Sequence, residues 1–390
     1  MTVRPISRRG ALTSLSSASL VATDALAASP SPTAKGSAMK AGRMRVYEIG
    51  DNKNGFTLHI VERPIPTPGP GQVVMRVRAT GINARDLDIM RGGMFGQTQP
   101  HTRVPLSDNA GEIAAVGQGV TRVKVGDRVT MTHYWRWLDG AWDESMRNED
   151  YANNIDGFLA EYVLVPADPI IKIPDSMTFE EASTLQSAGL TSWNAVIANG
   201  RIKPGETMLT IGTGGVSVFG FQWAKMAGAR VIITSSSDAK LDEMRKMGAD
   251  VTINYRANPN WTQEVLDRTG GRGVDMVLNN VGLAELDNCI TCCASGARIM
   301  HIGANAVARN QPAPAPPSAP KQMGKVIIRD LTIKGIIVGS RRMFEDLIVA
   351  MQQHNVKPMI DRVYPFEQAR EAIAYMESGD KLGKVVIKIG

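Results

Sequence analysis

A glycine-rich turn is the first segment of the sequence whose residue types suggest chemistry. It consists of Gly212-Thr213-Gly214-Gly215-Val216-Ser217, between an apolar run at 207–211 and a helical pattern. Such a turn brings backbone N–H groups and a helix N-terminus close to a pyrophosphate. Ser217 replaces the third glycine of the G-x-G-x-x-G pattern, but it is small enough for close packing. We therefore predict a dinucleotide site, rather than a turn without a ligand, formed by Gly212, Thr213, Gly214, Gly215 and Val216.

The end of the next predicted strand indicates which dinucleotide is bound. An NAD enzyme places Asp or Glu about 20 residues past the glycines, where it binds the ribose hydroxyls. Here the strand ends Thr234-Ser235-Ser236-Ser237-Asp238-Ala239-Lys240, and Tyr255 and Arg256 end the strand after it. Hydroxyl donors and a cation suit a 2′-phosphate; the alternative is a solvated helix cap with Asp238 as N-cap. We predict NADP(H) rather than NAD(H), bound by Ser235, Ser236, Lys240 and Tyr255.

Two patterns of secondary structure position these residues. Residues 39–166 contain short apolar runs bounded by Pro-Gly and Gly-Asp turns, which predict a compact, barrel-like β domain. From about residue 183 strands and helices alternate, which requires a parallel sheet with helices on both faces. The predicted fold class is therefore α/β, with strands at 207–212, 230–235, 251–255, 274–279, 298–303 and 331–338 and helices at 216–226, 238–247, 260–269 and 286–294. The closing segment adds a helix at 342–354, a strand at 359–364, a helix at 366–378 and a strand at 384–389.

Composition excludes several classes of protein. The chain has 390 residues, of which 43% are hydrophobic and 21% charged, and its net charge is +6. This length suits two or three domains, and no apolar run approaches the length of a membrane span. Lys and Arg are scattered rather than clustered as in a nucleic-acid footprint. The cysteines, Cys289, Cys292 and Cys293, are too few and too close for a disulfide framework or a four-cysteine zinc site, and we expect them to be buried in a helix.

Two segments fall outside the domain pattern. Ser7-Arg8-Arg9-Gly10-Ala11-Leu12 precedes a small, apolar run and an A-x-A site, Ala25-Leu26-Ala27. This order is typical of a twin-arginine signal, so we predict that residues 1–38 are a signal peptide and linker of a periplasmic protein. The alternative is a disordered tail on a cytoplasmic protein. The Pro/Ala-rich residues 311–320 predict an exposed polyproline loop.

The motifs of residues 39–390 together resemble the medium-chain dehydrogenase/reductase family. The motifs are Pro68-Gly-Pro-Gly-Gln-Val73, Gly81-Ile-Asn-Ala-Arg-Asp86, Val125-Gly-Asp-Arg-Val129, Gly157-Phe-Leu-Ala-Glu-Tyr162, Ala188-Gly-Leu-Thr191, Gly212-x-Gly-Gly-Val216, Val281-Gly282 and Gly383-Lys-Val-Val386. The resemblance implies a GroES-like β-barrel catalytic domain at 39–167, a Rossmann doubly wound domain at 168–340 and a return to the catalytic domain at 341–390. It also implies dimers or tetramers, and we expect a homodimer.

The zinc ligands of the family's alcohol dehydrogenases are absent at the matching positions. The resemblance places a cysteine, a histidine and a second cysteine at the positions of Asn83, Ser107 and Ser187, and a glutamate at that of Asp108. Zn²⁺ prefers thiolate, imidazole or carboxylate ligands. The sequence therefore resembles the zinc-independent branch, which includes quinone oxidoreductases, enone reductases and NADP-dependent alcohol dehydrogenase-like proteins, and we expect no zinc.

Three residues are candidates for catalysis. In the zinc-independent branch an asparagine at the position of Asn83 lies beside the nicotinamide or the substrate. We expect it to orient the substrate for direct hydride transfer, with the proton supplied by a hydroxyl or water. Asp86 is a candidate acid or base, or else the ion-pair partner of Arg85 or Arg91. Asp108 is either a site carboxylate or part of a structural turn.

The resemblance also implies which residues contact the nicotinamide and its ribose. Leu190 and Thr191 match residues that flank the nicotinamide. The ends of three predicted strands match residues that hold the ribose and the carboxamide: Val281, Gly282, Ile302, Gly303, Val338 and Gly339.

An aromatic run suggests the wall of a substrate pocket. His133-Tyr134-Trp135-Arg136-Trp137 is the largest aromatic concentration in a chain that is only 5% aromatic. In the family's fold it falls near the active-site cleft, so His133 and Trp135 are pocket candidates, the alternative being core packing. Met94, with Phe95, is a further pocket candidate.

The leading hypothesis is a zinc-independent NADP(H) oxidoreductase acting on a quinone, an enone or an aldehyde/alcohol pair. A zinc-dependent alcohol dehydrogenase is the second hypothesis. The third is a non-catalytic NADP(H)-binding protein, because a phosphate-binding turn serves a sensor as well as an enzyme.

Overall fold

The computed structural model of the chain describes residues 42–52, 55–92, 102–303 and 320–390. The predicted export signal, the pocket candidates Met94 and Phe95 and residues 311–319 lie outside the described residues. Within those ranges, no helix combines the length and the apolar character needed to cross a membrane.

The secondary structure alternates as the sequence predicts. The strands are β1 (Arg43–Asn52), β2 (Gly55–Pro64), β3 (Gln72–Ile82), β4 (Ala110–Val116), β5 (Arg128–Met131), β6 (Tyr162–Pro166), β7 (Ile170–Lys172), β8 (Thr207–Ile211), β9 (Arg230–Ser235), β10 (Val251–Asn254), β11 (Val274–Asn279), β12 (Cys293–His301), β13 (Thr332–Gly335), β14 (Ile360–Pro365) and β15 (Lys384–Lys388). The α-helices are α1 (Ala84–Met90), α2 (Phe179–Ala182), α3 (Leu190–Trp193), α4 (Gly215–Met226), α5 (Asp238–Lys246), α6 (Trp261–Arg268), α7 (Leu286–Cys292), α8 (Met323–Ile328), α9 (Arg341–His354) and α10 (Ala369–Ser378).

The β-rich segment forms a sheet with the strand order β14-β15-β3-β4-β5-β7. β3 is its central strand, because it pairs with β4 along one edge and with β6 and then β15 along the other. Most of its residues are buried, and Val73, Met75 and Val77 contribute to the core of this domain. β1 and β2 form a separate antiparallel pair.

The second sheet has six parallel strands in the order β10-β9-β8-β11-β12-β13. All five residues of β8 are buried, as expected for a strand with helices on both faces. The strand order reverses between β8 and β11, and ligands of such sheets bind at the carboxyl ends of the strands at this point. The predicted α/β fold class, a β-sheet catalytic domain and a doubly wound Rossmann domain, is confirmed.

Element bounds differ from the prediction mainly around the cysteines. The helix predicted at 286–294 ends at Cys292, and β12 begins at Cys293 rather than at residue 298. The register of β11 and β12 is irregular here, with Val274 opposite Cys293 and Met276 opposite Arg298. The extra residues of β12 include Gly296 at φ +75°, which glycine adopts without strain.

The closing segment passes between the two domains. β15 pairs antiparallel with the end of β3, and Gly383, just before it, forms a bridge with Gly214 of the glycine turn. α10 packs against the catalytic core, whereas α9 packs against the Rossmann core. β7, just past the predicted domain boundary at 167, pairs with β5 of the catalytic sheet. The domain boundaries themselves stay a prediction, but the path of β15 places its first residue, Lys384, between the glycine turn and the end of β3.

Candidate active site

The glycine-rich turn joins β8 to α4 and is open on one side. Gly212 has φ +82°, and Gly214 is the N-cap of α4. A Cβ built on either glycine meets no atom within 4 Å, so the turn faces open space at the helix N-terminus. Val216 lies in the first turn of α4, and the hydroxyl of Thr213 lies 3.4 Å from that of Ser235. This geometry fits a pyrophosphate held by backbone N–H groups.

Two residues allow α4 to approach the parallel sheet. Ser217 is buried, and its hydroxyl donates to the carbonyl of Ile211 at 2.9 Å. At Gly220 an added Cβ would lie 2.3 Å from Cδ2 of Leu278. Gly220 thus supplies the close helix–strand packing usually attributed to the third glycine. The sequence prediction missed this residue, although a glycine inside an apolar helix is a recognisable signal.

The end of β9 carries hydroxyls, as the sequence predicts, but the helix cap differs. Ser237, not Asp238, is the N-cap of α5, and its hydroxyl accepts from the backbone N–H of Lys240 at 3.5 Å. Ser235 is buried and Ser236 is half-buried. The ammonium of Lys240 donates to the carbonyl of Gly379 at 2.7 Å, so this lysine links α5 to the end of α10.

Tyr255 lies directly after β10 and is 37% exposed. Its backbone N–H donates to the carbonyl of Ser235 at 3.1 Å. The two strand ends are thus adjacent, which brings the predicted 2′-phosphate residues to one corner.

The predicted nicotinamide residues form two groups. Leu190 is buried and packs against Gly339, where an added Cβ would lie 2.7 Å from Cγ of Leu190. Their sequence neighbours Thr191 and Val338 are also buried. In the second group the side chain of Asn279 accepts from the N–H groups of Val281 and Gly282 at 3.2 and 3.0 Å. The N–H of Ile302 donates to the carbonyl of Asn279 at 2.8 Å, and Gly303 lies against Asn280. Asn279 therefore fixes two of the predicted strand ends, a role that the sequence prediction did not assign.

The three positions that match zinc ligands carry groups that do not suit zinc. Asn83, Ser107 and Ser187 are all at most 7% exposed. The Ser107 hydroxyl donates to Asp86 at 2.8 Å, so it is already engaged. Nδ2 of Asn83 and Oγ of Ser187 are buried without a hydrogen-bond partner, but an amide N–H and a neutral hydroxyl are poor zinc ligands. Among the residues that the structure describes, no group of three His, Cys, Asp or Glu side chains could hold a metal.

A buried lysine lies at the same place. Lys384 is 2% exposed, and its ammonium is 2.6 Å from Oδ1 of Asn83, 2.9 Å from Oδ2 of Asp108 and 2.9 Å from the carbonyl of Ile82. A fixed cation this close to Asn83 opposes binding of a metal cation. The sequence prediction missed Lys384 as a site residue, and the available signal was a lysine between Gly383 and an apolar strand.

Asp108 contacts both the buried lysine and the backbone at Ser187. Its Oδ1 accepts from the backbone N–H of Ser187 at 3.0 Å, and its Oδ2 accepts from Lys384. It is fully buried and holds Ser187 and Lys384 in place, and its assignment as a site carboxylate rather than part of a structural turn stays a prediction.

Asp86 is engaged in a different way from the predicted ion pairs. Its Oδ2 accepts from the backbone N–H of Asn83 at 2.7 Å, which stabilises the start of α1, and its Oδ1 accepts from Ser107. The ion-pair alternative is wrong, because Arg85 pairs with Asp150 and Arg91 with Glu377. Burial raises the pKa of Asp86, although these hydrogen bonds oppose the shift.

The predicted pocket residues separate into two environments. His133 is fully buried beside Tyr134, and neither ring nitrogen has a hydrogen-bond partner. Burial and the nearby Arg85 keep the pKa of His133 well below its usual value, so the imidazole is neutral. Trp135 is half-buried and packs against the catalytic core. The predicted burial of the three cysteines is confirmed, but Cys293 begins β12 and does not lie in the helix. Burial raises the pKa of each thiol, which disfavours the reactive thiolate.

Known proteins share this arrangement of domains. Residues 69–175 match the model of the alcohol dehydrogenase GroES-like domain, and residues 215–353 match that of the zinc-binding dehydrogenase. A zinc-type alcohol dehydrogenase-like protein of Schizosaccharomyces pombe is 35% identical over 347 residues, which cover 88% of this chain and 99% of that protein.

Solved structures extend the relationship. A protein of Sinorhizobium meliloti 1021, described provisionally as an alcohol dehydrogenase, has a TM-score of 0.81 and 36% identity, covering 90% of this chain and 100% of that one. A mycobacterial protein solved in complex with NADPH has a TM-score of 0.71 and 26% identity, covering 88% of this chain and 99% of that one.

Proposed function

The chain belongs to the medium-chain dehydrogenase/reductase family as an alcohol dehydrogenase-like oxidoreductase, and from that premise we propose that it works without zinc. The proposed reaction is hydride transfer between NADP(H) and a quinone, an enone or an aldehyde/alcohol pair. One observation carries this proposal: beside an open glycine turn, the three positions that match zinc ligands carry an asparagine and two serines, and the asparagine contacts a buried lysine.

We assign each group of residues around the glycine turn a separate role in the reaction. The nucleotide, when bound, supplies or accepts the hydride. The turn at 212–216 fits the pyrophosphate, and the contact of Leu190 with Gly339 shapes one side of the adjoining space. Asn83 presents a buried, unpartnered Nδ2–H, which donates to the substrate's oxygen and orients it. A hydroxyl group or water supplies the proton.

A conjugated acceptor suits this donor set best. Without a Lewis acid, hydrogen-bond donors must stabilise the charge that develops on the substrate's oxygen. In a quinone or an enone that charge is delocalised, so weaker stabilisation suffices than for a simple alkoxide. An aldehyde/alcohol pair remains within the proposal.

The proposal is tested by following NADPH and NADH oxidation by purified protein with 1,4-benzoquinone, an enone and an aldehyde, together with zinc analysis. We expect turnover with NADPH well above that with NADH, in protein that contains far less than one zinc per chain. Nucleotide binding without turnover of any acceptor would favour the non-catalytic NADP(H)-binding protein. One zinc per chain, lost together with activity on chelation, would favour the zinc-dependent alcohol dehydrogenase.

Cofactor preference is proposed to depend on the hydroxyls at the end of β9. The substitution Ser236→Asp places a carboxylate where a 2′-phosphate would lie, so we expect NADPH to bind about 10- to 100-fold more weakly. NADH binding should stay the same or improve, because the carboxylate can accept from ribose hydroxyls. Fluorescence titration with both nucleotides measures this. Ser176→Asp, which adds the same charge at an exposed serine, is the control, and equal NADPH affinity in the two variants would refute the assignment.

A homodimer joined at the edge of the parallel sheet is also proposed. β13 is the last strand of that sheet, and Ile327 and Ile328 just before it are 84% and 85% exposed. Among the described strands β13 pairs only with β12, and exposed isoleucines beside such a strand edge suit a second copy of the chain. Light scattering of the purified protein measures the mass directly, and a monomer at micromolar concentration would exclude this assembly.

Export through the twin-arginine route remains a proposal based on residues 1–38. Cell fractionation of the full chain, compared with a variant carrying Arg8→Lys and Arg9→Lys, separates it from the cytoplasmic alternative. Equal distribution of both proteins in the cytoplasm would exclude export.

A further inference from the structure

The ammonium of Lys384 is fully occupied by the protein. It has three N–H donors and three acceptors, namely the carbonyl of Ile82, Oδ1 of Asn83 and Oδ2 of Asp108, at 2.6–2.9 Å. No donor remains for a substrate, a phosphate or a water molecule. Any effect of Lys384 on a substrate that depends on hydrogen bonds must therefore pass through one of its three partners, in addition to the field of its charge.

The surroundings are shaped for this lysine. An added Cβ on Gly215 would lie 2.9 Å from Cδ of Lys384, and one on Gly81 would lie 3.3 Å from its Cε and 2.8 Å from Oδ2 of Asp108. The side chain thus runs between the first residue of α4 and the end of β3, where two glycines leave room for it. Asp108 balances its charge inside the protein.

Of the three partners, only Asn83 has a free donor. An ammonium can face only an acceptor, so Lys384 determines which end of the Asn83 amide is its oxygen. The amide nitrogen then points away from the lysine, and it is buried without a partner. A hydrogen bond from a cation also polarises the amide and makes its N–H groups stronger donors.

We propose that Lys384 is a positioning residue that takes the place of the metal: it fixes and polarises the Asn83 amide, which then holds the oxygen of a carbonyl substrate. This inference rests on the proposed function and adds the group that makes an asparagine effective there. The ammonium contacts the amide, and the amide contacts the substrate.

The variant Lys384→Met tests the proposal, with Lys388→Met as its matched control. Lys388 lies on the same strand, but it is exposed and pairs with Glu180 at the surface. With the best acceptor found for the wild type, we expect kcat of Lys384→Met to fall about 10- to 100-fold, as for other positioning residues. The KM for the acceptor and the NADPH dissociation constant should change little. The control should keep the wild-type kcat, and a Lys384→Met variant that also keeps it would overturn the proposal.

A second variant removes the buried charge that Lys384→Met leaves on Asp108. The double variant Asp108→Asn/Lys384→Met is neutral, and its amide can still accept from the N–H of Ser187. We expect it to fold and to remain as slow as Lys384→Met. Recovery of wild-type kcat in the double variant would show that Lys384 only balances charge, which would overturn the positioning role.

A spectroscopic readout separates this inference from the proposed function. The visible band of 4-(dimethylamino)cinnamaldehyde moves to longer wavelength as its carbonyl oxygen is polarised. In the presence of NADP⁺, we expect a red shift with the wild type and with Lys388→Met, and a much smaller one with Lys384→Met. A shift equal in all three proteins, or absent from the wild type, would overturn the inference. Failure of every acceptor to turn over, with the shift intact, would reject the proposed function alone.

Discussion

Replacing Asn83 by aspartate is expected to lower kcat by about 10²- to 10³-fold, the usual cost of losing a donor to a developing oxyanion. The substitution keeps the shape of the side chain and an acceptor for Lys384, which lies 2.6 Å from Oδ1. What it removes is Nδ2, the buried atom without a partner in the protein. It also adds a buried carboxylate that shares the Lys384 ammonium with Asp108, so we expect a loss of stability beside the loss of kcat, and the two are measured separately.

Steady-state kinetics with the best acceptor and a thermal melt measure this result. Asn355→Asp, an exposed change of the same kind, is the control and should leave kcat unaltered. NADPH binding should persist in both variants, because the glycine turn is untouched. If Asn83→Asp kept more than about a third of the wild-type kcat, Asn83 would not hold the reacting oxygen, because loss of such a donor normally lowers kcat far more.

Features encoded by neighbouring residues were predictable from the sequence. The glycine turn, the hydroxyls at the end of β9 and the alternation of strands and helices depend on local spacing, and the structure reproduces them. The N-cap of α5 was misplaced by one residue, because Ser237 and Asp238 are both good caps and only the backbone path chooses between them. Local chemistry restricts such choices without always deciding them.

Features that depend on distant residues were not predictable in this way. Lys384 is buried because it finds acceptors at Asn83 and Asp108, which are 301 and 276 positions away. Arg85 pairs with Asp150 rather than with Asp86 next to it, since the fold brings Asp150 to the guanidinium. The role of Asp86 was within reach, because the spacing of Asn83 and Asp86 is that of a capping residue at the third helical position.

The side chains at the three positions that match zinc ligands belong to the same hydrogen-bonded arrangement as Lys384 and Asp108. A metal cation held by thiolates carries charge balance within its own ligand set. Once those ligands are an amide and two hydroxyls, the buried carboxylate of Asp108 needs another cation, and Lys384 lies 2.9 Å from it. The same ammonium faces Asn83, so a single residue balances the carboxylate and orients the donor.

This coupling predicts a large effect on stability that can be separated from catalysis. Asp108→Asn alone leaves the Lys384 ammonium buried without its counter-ion, with side chains only 2% and 0% exposed. We expect the free energy of unfolding to fall by about 3–5 kcal/mol, the usual cost of breaking a buried pair. Glu180→Gln, which breaks the surface pair with Lys388, should cost at most about 1 kcal/mol.

The double variant Asp108→Asn/Lys384→Met completes the cycle, because removing both charges also removes the cost of burying them. We expect it to be more stable than Asp108→Asn by several kcal/mol, on the order of the cost of the broken pair. Urea denaturation of the four proteins measures the coupling energy between the two side chains. Additive losses would show that the pair is not coupled. The double variant could be as stable as the wild type and still have a low kcat. That result would assign the effect of the pair on stability to charge balance and its effect on kcat to the orientation of Asn83.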